Sequence, residues 1–350
     1  MKTVTIAIPA LHRPDLTRRC IEFIQRQTLS PSEWEIIVIE NEARPDSMLS
    51  EPLPPNTQRI ELTTNQGTTG SINRAEAATS SKYLLLLNND IELEPGYLEA
   101  LVRALDNNAQ YGFAAGKLLR ATQRTHLDGA GDAMLIAGGA YRLGGMDEDR
   151  GQFEYEMPVI AGCGAAVLYR REPFNECGRL DEDFFAYIDD IDLGLRSQLL
   201  GFGGVYIPEA VAYHIGSATT GAVVHPRILE YVTRNQLLLI AKDYPASLIV
   251  RFSPRIALFQ TLWFGYVVRN GGPGAYVRGV LRAIAKLPAM LAKRRELMRK
   301  RRIGAKQFAQ LLRMSERQVY EWHSSRPREM QSGLLRTYFR VFPPPSPSHE

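Results

Sequence analysis

Short apolar runs are spaced along the first hundred residues of the chain. Residues 4–8 (VTIAI), 35–39 (EIIVI) and 83–87 (YLLLL) are rich in β-branched residues or leucine. Each run is too short for a helix, and a run that is apolar at nearly every position is typical of a strand buried on both faces of a parallel sheet. The pattern predicts three buried strands, and the chain is organised around the leucine strand at residues 83–87.

Stretches with helical character separate these strands. One begins at Asp15, which is placed to cap it, and runs to about Gln27, and another occupies residues 69–79. A further short strand is predicted at residues 59–62. Strand, helix and strand follow one another within 40 residues, as in a βαβ unit with a right-handed connection. The first hundred residues are therefore predicted to form an α/β sheet with a nucleotide-sized crevice at its switch point.

Polar residues stand where two of these strands end, namely Asn88, Asn89 and Asp90 after the leucine strand and Glu40 and Asn41 after residues 35–39. Ligands of open α/β sheets bind just beyond the carboxyl ends of the strands. These side chains are therefore candidates for contacts with a polar ligand or a metal ion, and Glu40 for hydrogen bonds from a base or a ribose. Asn and Asp also dominate turns for local reasons, and Glu40 is equally consistent with a solvated loop residue.

The middle of the chain is harder to interpret. Residues 107–160 are rich in glycine and lack clear periodicity, which predicts loops and short strands around a site. Strand character resumes at residues 160–169, where Gly162 and Gly164 would let a ligand approach the backbone closely. A later strand at residues 211–214 ends in His214. A lone histidine is more often structural, but beside an acidic site a neutral imidazole is a credible ligand for a divalent ion.

The densest cluster of charge lies at residues 181–192, where six of twelve residues are Asp or Glu, interleaved with aromatic residues. So many carboxylates are costly to place together unless cations or shifted pKa values compensate. A solvated helix face would usually show Lys or Arg at helical spacing, and Arg196 is the basic residue available for that role. The pattern favours a functional site over a solvated helix.

Three separated blocks together resemble the inverting, GT-A-fold glycosyltransferases of family 2, especially the bacterial rhamnosyltransferase-like members that build O-antigen and other cell-surface polysaccharides. The blocks are residues 6–9 with 36–41, NQGTTGSINR at 65–74 with LNND at 87–90, and residues 162–171 with FFAYIDDIDL at 184–193. The match covers residues 3–240 and includes Y-x-x-R-N at 231–235. The order and spacing of the blocks carry the resemblance.

The resemblance implies a role for residues in each block. Asp190 would be the general base, and the neighbouring Asp189 could exchange roles with it. Asp90 would coordinate a divalent ion that bridges the donor diphosphate, with His214 as its protein partner. Donor contacts are implied for Pro9, Glu40, Asn41, Asn65, Asn73, Asn88, Asn89 and Gly162, and acceptor contacts for Gly164, Tyr187 and Arg234.

The chain departs from the family pattern in its acidic residues. Glu40 replaces the usual aspartate of the Val-Asp-Asn block, and the usual Glu-Asp pair appears as Asp189-Asp190. Asn88 replaces the first acid of the Asp-x-Asp motif, so metal ligation in that motif rests on Asp90 alone. The implied cofactor is Mg²⁺ or Mn²⁺, which needs only one or two protein ligands because the donor phosphates supply the others. Its charge would stabilise the leaving nucleoside diphosphate, while a carboxylate takes the proton from an acceptor hydroxyl.

Charge is distributed unevenly, although the chain of 350 residues carries a net charge of only +4. Residues 1–268 contain 24 basic and 33 acidic residues, whereas residues 269–302 contain 11 and one. In the basic segment Arg278, Arg282 and Lys286 recur beside an apolar stripe, which predicts an amphipathic helix interrupted by Pro288.

The apolar run at residues 256–268 precedes the basic segment and is shorter than the roughly 20 residues that span a bilayer. The two together predict an in-plane anchor on an anionic membrane surface, where each basic residue contributes about 1 kcal/mol. The alternative is a solvated helix packed against the catalytic domain. At residues 303–323 a helix, a turn and a second helix capped by Ser315 resemble a helix-turn-helix, which makes DNA binding conceivable.

The predicted fold is α/β, a GT-A domain at residues 1–240 with a nucleotide-sugar half to about residue 105 and an acceptor half after it. A membrane-associating helical region at residues 241–302, a helical tail at 303–341 and a disordered end at 342–350 follow. Cys20, Cys163 and Cys177 lack metal spacing, and no signal peptide precedes the first strand, which predicts a reducing cytoplasm.

The predicted function is an inverting glycosyltransferase, peripheral on the inner face of the cell membrane. It would use a dTDP- or UDP-linked sugar and a lipid-linked or polysaccharide acceptor, without nucleic acid as a partner, and a homo-oligomeric state stays open. A non-catalytic nucleotide-sugar-binding protein is the alternative, followed by the DNA-binding protein.

Overall fold

The computed structural model describes residues 2–46, 48–216 and 225–344. The chain divides into two compact units, the first made of residues 1–131 and 144–221 and the second of residues 132–143 and 222–350. The division falls before the expected boundary at residue 240, because the helix at residues 226–243 packs with the helices that follow it: Trp263 Nε1 donates to Thr233 Oγ1 at 2.9 Å. Of the predicted disordered end, residues 345–350 lie outside the described residues.

Over the described ranges, the strands are β1 (Val4–Ala10), β2 (Trp34–Asn41), β3 (Thr57–Leu62), β4 (Tyr83–Leu87), β5 (Ile91–Leu93), β6 (Tyr111–Arg120), β7 (Gln123–Gly129), β8 (Asp132–Met134), β9 (Ala140–Arg142), β10 (Met157–Val159), β11 (Ala166–Arg170) and β12 (Gly203–His214). The sheet of the first unit has the order β10-β12-β6-β11-β4-β1-β2-β3, with β5 beside β12 and β7 beside β6. The strands β8 and β9 form a hairpin of their own in the second unit.

The helices of the first unit are α1 (Pro14–Ile24), α2 (Gly67–Ala77), α3 (Tyr97–Asn107), α4 (Arg171–Glu176) and α5 (Asp189–Leu199). Those of the second unit are α6 (Pro226–Asp243), α7 (Ala246–Gly271), α8 (Pro273–Lys300), α9 (Ala305–Ser325) and α10 (Gly333–Val341), with a short 3₁₀ turn at Arg328–Met330.

The leucine strand is confirmed as β4, which is buried at every position. It runs parallel to β1, as expected, but antiparallel to β11 on its other side. The antiparallel neighbour was not predicted, because an unbroken apolar run indicates burial of both faces and not the direction of the neighbouring strand. The parallel order β4-β1-β2-β3 confirms the predicted α/β core.

The start of α1 differs from the prediction. Arg13 is the N-cap and Pro14 the first helical residue, which suits proline because that position needs no N–H donor. Asp15 therefore lies inside the first turn instead of capping it, and its carboxylate accepts hydrogen bonds from the Arg13 guanidinium at 2.9 and 2.7 Å. The helix ends at Ile24 and not at about Gln27.

The glycine-rich middle contains a central strand that the sequence did not predict. Strand β6 lies between β12 and β11, and its small residues serve close packing. A Cβ at Gly116 would overlap the Ala210 carbonyl oxygen and the Tyr97 ring. The strand predicted at residues 160–169 begins only at Ala166, and residues 160–165 form a loop.

The helix-turn-helix prediction for residues 303–323 is wrong. Residues Ala305–Ser325 form one continuous helix, α9. Ser315 is fully buried in the middle of it and accepts a hydrogen bond from the Met134 N–H at 2.7 Å, while Glu316 accepts one from Ile136 N–H at 3.1 Å. Ser315 therefore binds the β8–β9 hairpin within the second unit. From the sequence alone, a serine at this position could equally have capped a helix.

Pro288 does not interrupt the basic helix, since α8 continues through it to Lys300. Pro288 lies on the exposed side, where water can replace the one intrahelical hydrogen bond that proline removes. Two of the cations expected to face lipid are engaged elsewhere: Arg278 Nε donates to Glu230 Oε2 at 2.7 Å, and Arg282 pairs with the other oxygen of the same carboxylate. Among the helices in the described ranges, none is long and apolar enough to cross a membrane.

Candidate active site

Two of the predicted residues meet directly. Strand β12 pairs with β5 so that His214 lies opposite Ile91, which places Asp90 beside the histidine. His214 Nε2 is 3.5 Å from Asp90 Oδ2, and both side chains are nearly buried, at 11% and 10% exposed. The Ile215 N–H donates to the Asp90 carbonyl oxygen at 3.0 Å, which fixes the backbone between them. A carboxylate and an imidazole thus converge at the ends of strands that are distant in sequence.

A third residue, Asp128 on β7, was missed by the sequence analysis. Its Oδ2 lies 2.7 Å from His214 Nδ1, so the imidazole lies between two carboxylates. Burial lowers the pKa of His214, but hydrogen bonds and charges from Asp128 and Asp90 outweigh it and raise the pKa to about 9. Asp128 stands in a sequence, LDGAG, that is typical of a turn, and no local pattern marks it as a partner of a histidine 86 residues away.

The donor set of Asp90 and His214 fits a divalent ion. Two ligands that each lie about 2.1 Å from an ion in neighbouring octahedral positions are roughly 3.0 Å apart, close to the observed 3.5 Å. No group of three or more His, Cys, Asp or Glu side chains that could hold a metal is found in residues 2–46, 48–216 and 225–344. Further oxygen ligands would therefore have to come from a bound substrate.

Asp190 lies in the first turn of α5 and is held by backbone amides. Its Oδ2 accepts a hydrogen bond from the Gly164 N–H at 3.0 Å, and its Oδ1 accepts one from the Ile191 N–H at 2.8 Å. These two hydrogen bonds fix the orientation of the carboxylate at the start of α5. A Cβ added at Gly164 would lie 3.2 Å from Asp190 Oδ2, so the missing side chain allows this close approach.

The loop that binds Asp190 also touches the end of β4. The Asn88 N–H donates to the Ala165 carbonyl oxygen at 2.8 Å, directly beside Gly164 and two residues before Asp90. Asp190 and Asp90 therefore belong to the same edge of the sheet. The convergence of Asp90, His214 and Asp190 on one cleft stays a prediction.

The other carboxylates of the acidic cluster are used differently. Asp192 is fully buried and accepts hydrogen bonds from Arg196, one helical turn away, so part of the cluster is an internal ion pair. Asp189 is also buried, and burial together with the charge of Asp190 raises the pKa of Asp189. The three aspartates thus occupy three environments: one paired, one favouring its protonated form and one held by amides.

A strained segment leads into α5. Phe185, Tyr187 and Ile188 have φ values of 67°, 67° and 64°, a region that non-glycine residues rarely adopt. Helix α2 holds the segment, because the Thr69 N–H donates to the Phe185 carbonyl oxygen at 3.3 Å. A Cβ at Gly67, whose own φ is 71°, would overlap that same oxygen. The strain turns the chain so that Asp189 and Asp190 start the helix, and it leaves the Tyr187 side chain 37% exposed.

Substitution Gly67→Ala is expected to lower the free energy of unfolding by about 2–4 kcal/mol, since the new methyl group meets a backbone oxygen and the positive φ disfavours alanine. Gly265→Ala is the matched control, because it lies inside α7 with open space around it and should stabilise by up to about 1 kcal/mol. Urea denaturation measures both. Equal stability of the two variants would contradict the proposed close contact.

The asparagines predicted to bind the donor make internal hydrogen bonds. Asn65 Oδ1 accepts from Asn41 Nδ2 at 3.0 Å and from the Gly67 N–H at 2.9 Å. Asn73 makes two hydrogen bonds to the backbone of Leu180. Its Nδ2 donates to the Leu180 carbonyl oxygen at 2.9 Å, and its Oδ1 accepts from the Leu180 N–H at 3.2 Å. These contacts tie α2 to β2 and to the segment before α5. The donor roles of these residues stay predictions.

Other predicted donor residues lie at the sheet edge with partners of their own. Glu40 is 3% exposed and accepts from the Leu49 N–H at 2.8 Å, and burial raises the pKa of its carboxyl group. Asn89 Nδ2 donates to Thr17 Oγ1 at 3.1 Å. Pro9 is inside β1, opposite Ile39.

Gly162 and Arg234 lie in packed surroundings. A Cβ at Gly162 would press against Val167 and Ala115, so this glycine serves packing on the sheet. Arg234 is on α6 in the second unit, where it is 6% exposed, donates to Asn235 Oδ1 at 2.8 Å and lies 5.0 Å from the Tyr231 ring centre. Its acceptor role stays a prediction.

Comparison with known proteins points to one family. Residues 5–178 match the family described as Glycosyl transferase family 2. The chain is 28% identical over 232 residues to the O-antigen biosynthesis protein RfbC of Myxococcus xanthus, which covers 64% of this chain and 18% of that protein. It is 28% identical over 189 residues to the N-acetylglucosaminyl-diphospho-decaprenol L-rhamnosyltransferase of Mycobacterium tuberculosis. That match covers 48% of this chain and 61% of that protein. The chain thus spans less than two thirds of the length of either relative.

Among solved structures, the chain is similar to GalNAc-T7, whose crystal structure contains UDP, GalNAc and Mn²⁺. The TM-score is 0.65 and the sequence identity 12%, with 93% of this chain and 58% of that chain covered. At this identity the similarity concerns the fold alone, and it confirms the predicted fold class.

Proposed function

We propose that the protein transfers a sugar from a nucleotide-activated donor to a glycan acceptor, with inversion at the anomeric carbon. The proposal starts from the match of residues 5–178 to glycosyl transferase family 2 and from the GT-A fold. The observation that supports the proposal is that Asp90, paired with His214, follows β4, while the amide-held Asp190 is bonded to the loop that contacts the end of β4. These are the two chemical functions that single-step transfer requires, one for the diphosphate and one for the acceptor hydroxyl.

Asp90 and His214 would hold Mg²⁺ or Mn²⁺, whose charge stabilises the departing nucleoside diphosphate. The Mn²⁺ in the structurally similar GalNAc-T7 supports this choice of cofactor. His214 Nε2 must be free of its proton to ligate a metal, and Asp90 supplies the negative charge next to it. Asn88 occupies the position of the first aspartate of an Asp-x-Asp motif. The ion would therefore have one carboxylate ligand fewer here than in that motif.

Asp190 is the proposed general base. The acceptor oxygen attacks the anomeric carbon, its proton passes to the Asp190 carboxylate, and the bond to the diphosphate oxygen breaks with its electrons. The N–H groups of Gly164 and Ile191 hold the carboxylate in a fixed orientation. Asp189 is less suited, because its raised pKa favours the protonated form.

The relatives support a narrower substrate class. One is named for O-antigen biosynthesis and another for transferring L-rhamnose to a decaprenol-linked sugar. We therefore propose a lipid-linked glycan of a cell-surface polysaccharide as the acceptor. The proposed donor is a dTDP- or UDP-linked sugar. The two amide hydrogen bonds that hold Asp190 support an enzyme over a nucleotide-sugar-binding protein without catalysis.

An exposed apolar stripe on α8 supports membrane association. Val277, Leu281 and Ile284 are 49%, 60% and 59% exposed, and Leu287 and Leu291 continue the same side of the helix. The opposite side is packed through buried small and apolar residues, namely Gly279, Ala283, Met290 and Leu297. At 100° per residue, the exposed Arg295 and Arg299 extend the apolar stripe toward the end of the helix. An apolar stripe ending in cations fits the cytoplasmic face of an anionic membrane, with the helix lying in its plane.

The double substitution Leu281→Glu with Ile284→Glu is expected to weaken binding to vesicles that contain phosphatidylglycerol by at least about tenfold, because two apolar side chains no longer enter the interface and two anions face an anionic surface. Co-sedimentation measures the effect, with Val250→Glu on α7 as the control for an exposed valine outside the stripe. Equal sedimentation of the double variant and the control would contradict the proposed surface.

Donor binding is tested by thermal unfolding with nucleoside diphosphates and their sugars, with and without Mn²⁺. A ligand that binds the native state alone raises the unfolding temperature. The proposal predicts a shift for UDP or dTDP that grows when Mn²⁺ is present. No shift with any nucleoside diphosphate would contradict the proposed function.

A further inference from the structure

The imidazole of His214 makes unequal contacts with its two carboxylates. The distance from Nδ1 to Asp128 Oδ2 is 2.7 Å, a full hydrogen bond, whereas Nε2 is 3.5 Å from Asp90 Oδ2, longer than a good one. The side chains of Asp128 and His214 are 21% and 11% exposed, so water competes little for this bond. The ring is therefore held more tightly on the Asp128 side than on the Asp90 side.

The backbone around Asp128 is built to aim this side chain. Strand β7 pairs with β6 through Leu118 with Gly129 and then Leu119 with Leu127, so Asp128 is the extra residue of a β-bulge. On the other side of β6, His214 of β12 lies opposite Arg120. A bulge breaks the alternation of side chains and is used next to functional sites to re-aim one of them. Here the bulge contains Asp128, whose carboxylate reaches His214 two strands away.

The hydrogen bond determines which ring nitrogen is left for a ligand. An Nδ1–H that donates to Asp128 leaves the Nε2 lone pair pointing toward Asp90. Histidines that bind metals usually donate their other N–H to a carboxylate, which fixes the tautomer and the orientation of the ring, and losing that partner typically costs 10- to 100-fold in metal affinity.

We infer that Asp128 is a positioning residue for the divalent ion, holding His214 with Nε2 toward Asp90, and this inference rests on the proposed function. Asp128 neither ligates the ion nor touches the substrate in this role; it acts through the imidazole. A purely structural hydrogen bond would instead affect the stability of the β6–β7–β12 region without changing the metal affinity of the folded protein.

Mn²⁺ affinity separates the two roles. Full-length wild type, Asp128→Asn and Asp128→Ala are titrated with Mn²⁺ at saturating UDP, and separately dTDP, while electron paramagnetic resonance counts the free ion. We expect both variants to bind Mn²⁺ 10- to 100-fold more weakly than wild type. The matched control is Glu209→Gln, which removes an exposed carboxylate from the same strand as His214 and should stay within about twofold. Variants with wild-type affinity would overturn the inference.

A second measurement needs no variant. Nitrogen-15 NMR of the histidines, with Zn²⁺ and UDP bound to the wild type, should show His214 protonated at Nδ1 and ligated through Nε2. The opposite tautomer would overturn the inference while leaving the proposed function in place. If the wild type bound no Mn²⁺ with either nucleotide, the metal part of the proposed function would fall as well.

Discussion

Asp190→Asn is expected to lower the rate of sugar transfer by about 10²- to 10⁴-fold, the range that a positioned general base contributes. The asparagine has the size of the aspartate and can still accept a hydrogen bond from the Gly164 N–H, so the loop and the start of α5 should keep their geometry. Affinity for the nucleoside diphosphate should stay within about twofold, because Asp190 serves the acceptor and not the diphosphate.

The comparison with Asp189→Asn identifies the base. Asp189 is buried and its pKa is raised, so replacing it with a neutral amide changes the chemistry of the acceptor site less. Initial rates of nucleoside diphosphate release, with binding measured by calorimetry, give both quantities for each variant. If Asp189→Asn abolishes transfer and Asp190→Asn does not, the two aspartates have exchanged roles.

Asp90→Asn is expected to weaken Mn²⁺ binding in the presence of UDP or dTDP by at least about 100-fold, and transfer should be lost with it. Asp90 supplies the carboxylate of the two-ligand site, and Asn88 cannot replace it as an anion. Hard divalent cations prefer charged oxygen ligands, so an amide oxygen is a poor substitute. Calorimetry with Mn²⁺ at saturating nucleotide measures the loss.

The structure also sets the control for Asp90→Asn. Asp106→Asn removes a carboxylate that bonds the Tyr83 hydroxyl at 2.6 Å, at the opposite end of β4 from Asp90. It should leave Mn²⁺ affinity unchanged. Unchanged Mn²⁺ affinity in Asp90→Asn as well would place the ion elsewhere.

The sequence predicted most of the core because the residues there are uniformly apolar. The run at 83–87 and the β-branched run at 4–8 have no other good location than a buried strand, and both lie in the parallel part of the sheet. Strand β6 escaped prediction because Gly112, Gly116 and neighbouring alanines resemble a loop until the close packing around them is known. Tertiary contact, and not local propensity, determines that strand.

Only part of the candidate site could be predicted from the sequence. Asp90 and His214 could be named because each follows or ends a recognisable strand, whereas Asp190 was named from the family resemblance of its block. Asp128 could not, because its role depends on a bulge and on a contact across an intervening strand. The same limit applies to Ser315, whose burial inside α9 is set by the hairpin that it holds.

The acidic cluster shows why composition alone assigns no roles. Six acidic residues within residues 181–192 predicted a site, yet Asp192 forms an internal pair with Arg196. The residue that remains presented by backbone amides is Asp190, and the strained residues Tyr187 and Ile188 before it are what place it there. A strained backbone cannot be read from side-chain types.

Crystals grown with Mn²⁺ and UDP or dTDP would show whether Asp90 and His214 hold the ion that binds the donor diphosphate. We expect an anomalous Mn²⁺ peak at about 2.0–2.3 Å from Asp90 and His214 Nε2, with the diphosphate on the same ion and Asp190 outside its coordination sphere. A peak bound to other residues, or a nucleotide that leaves the edge between β4 and α5 unused, would contradict it.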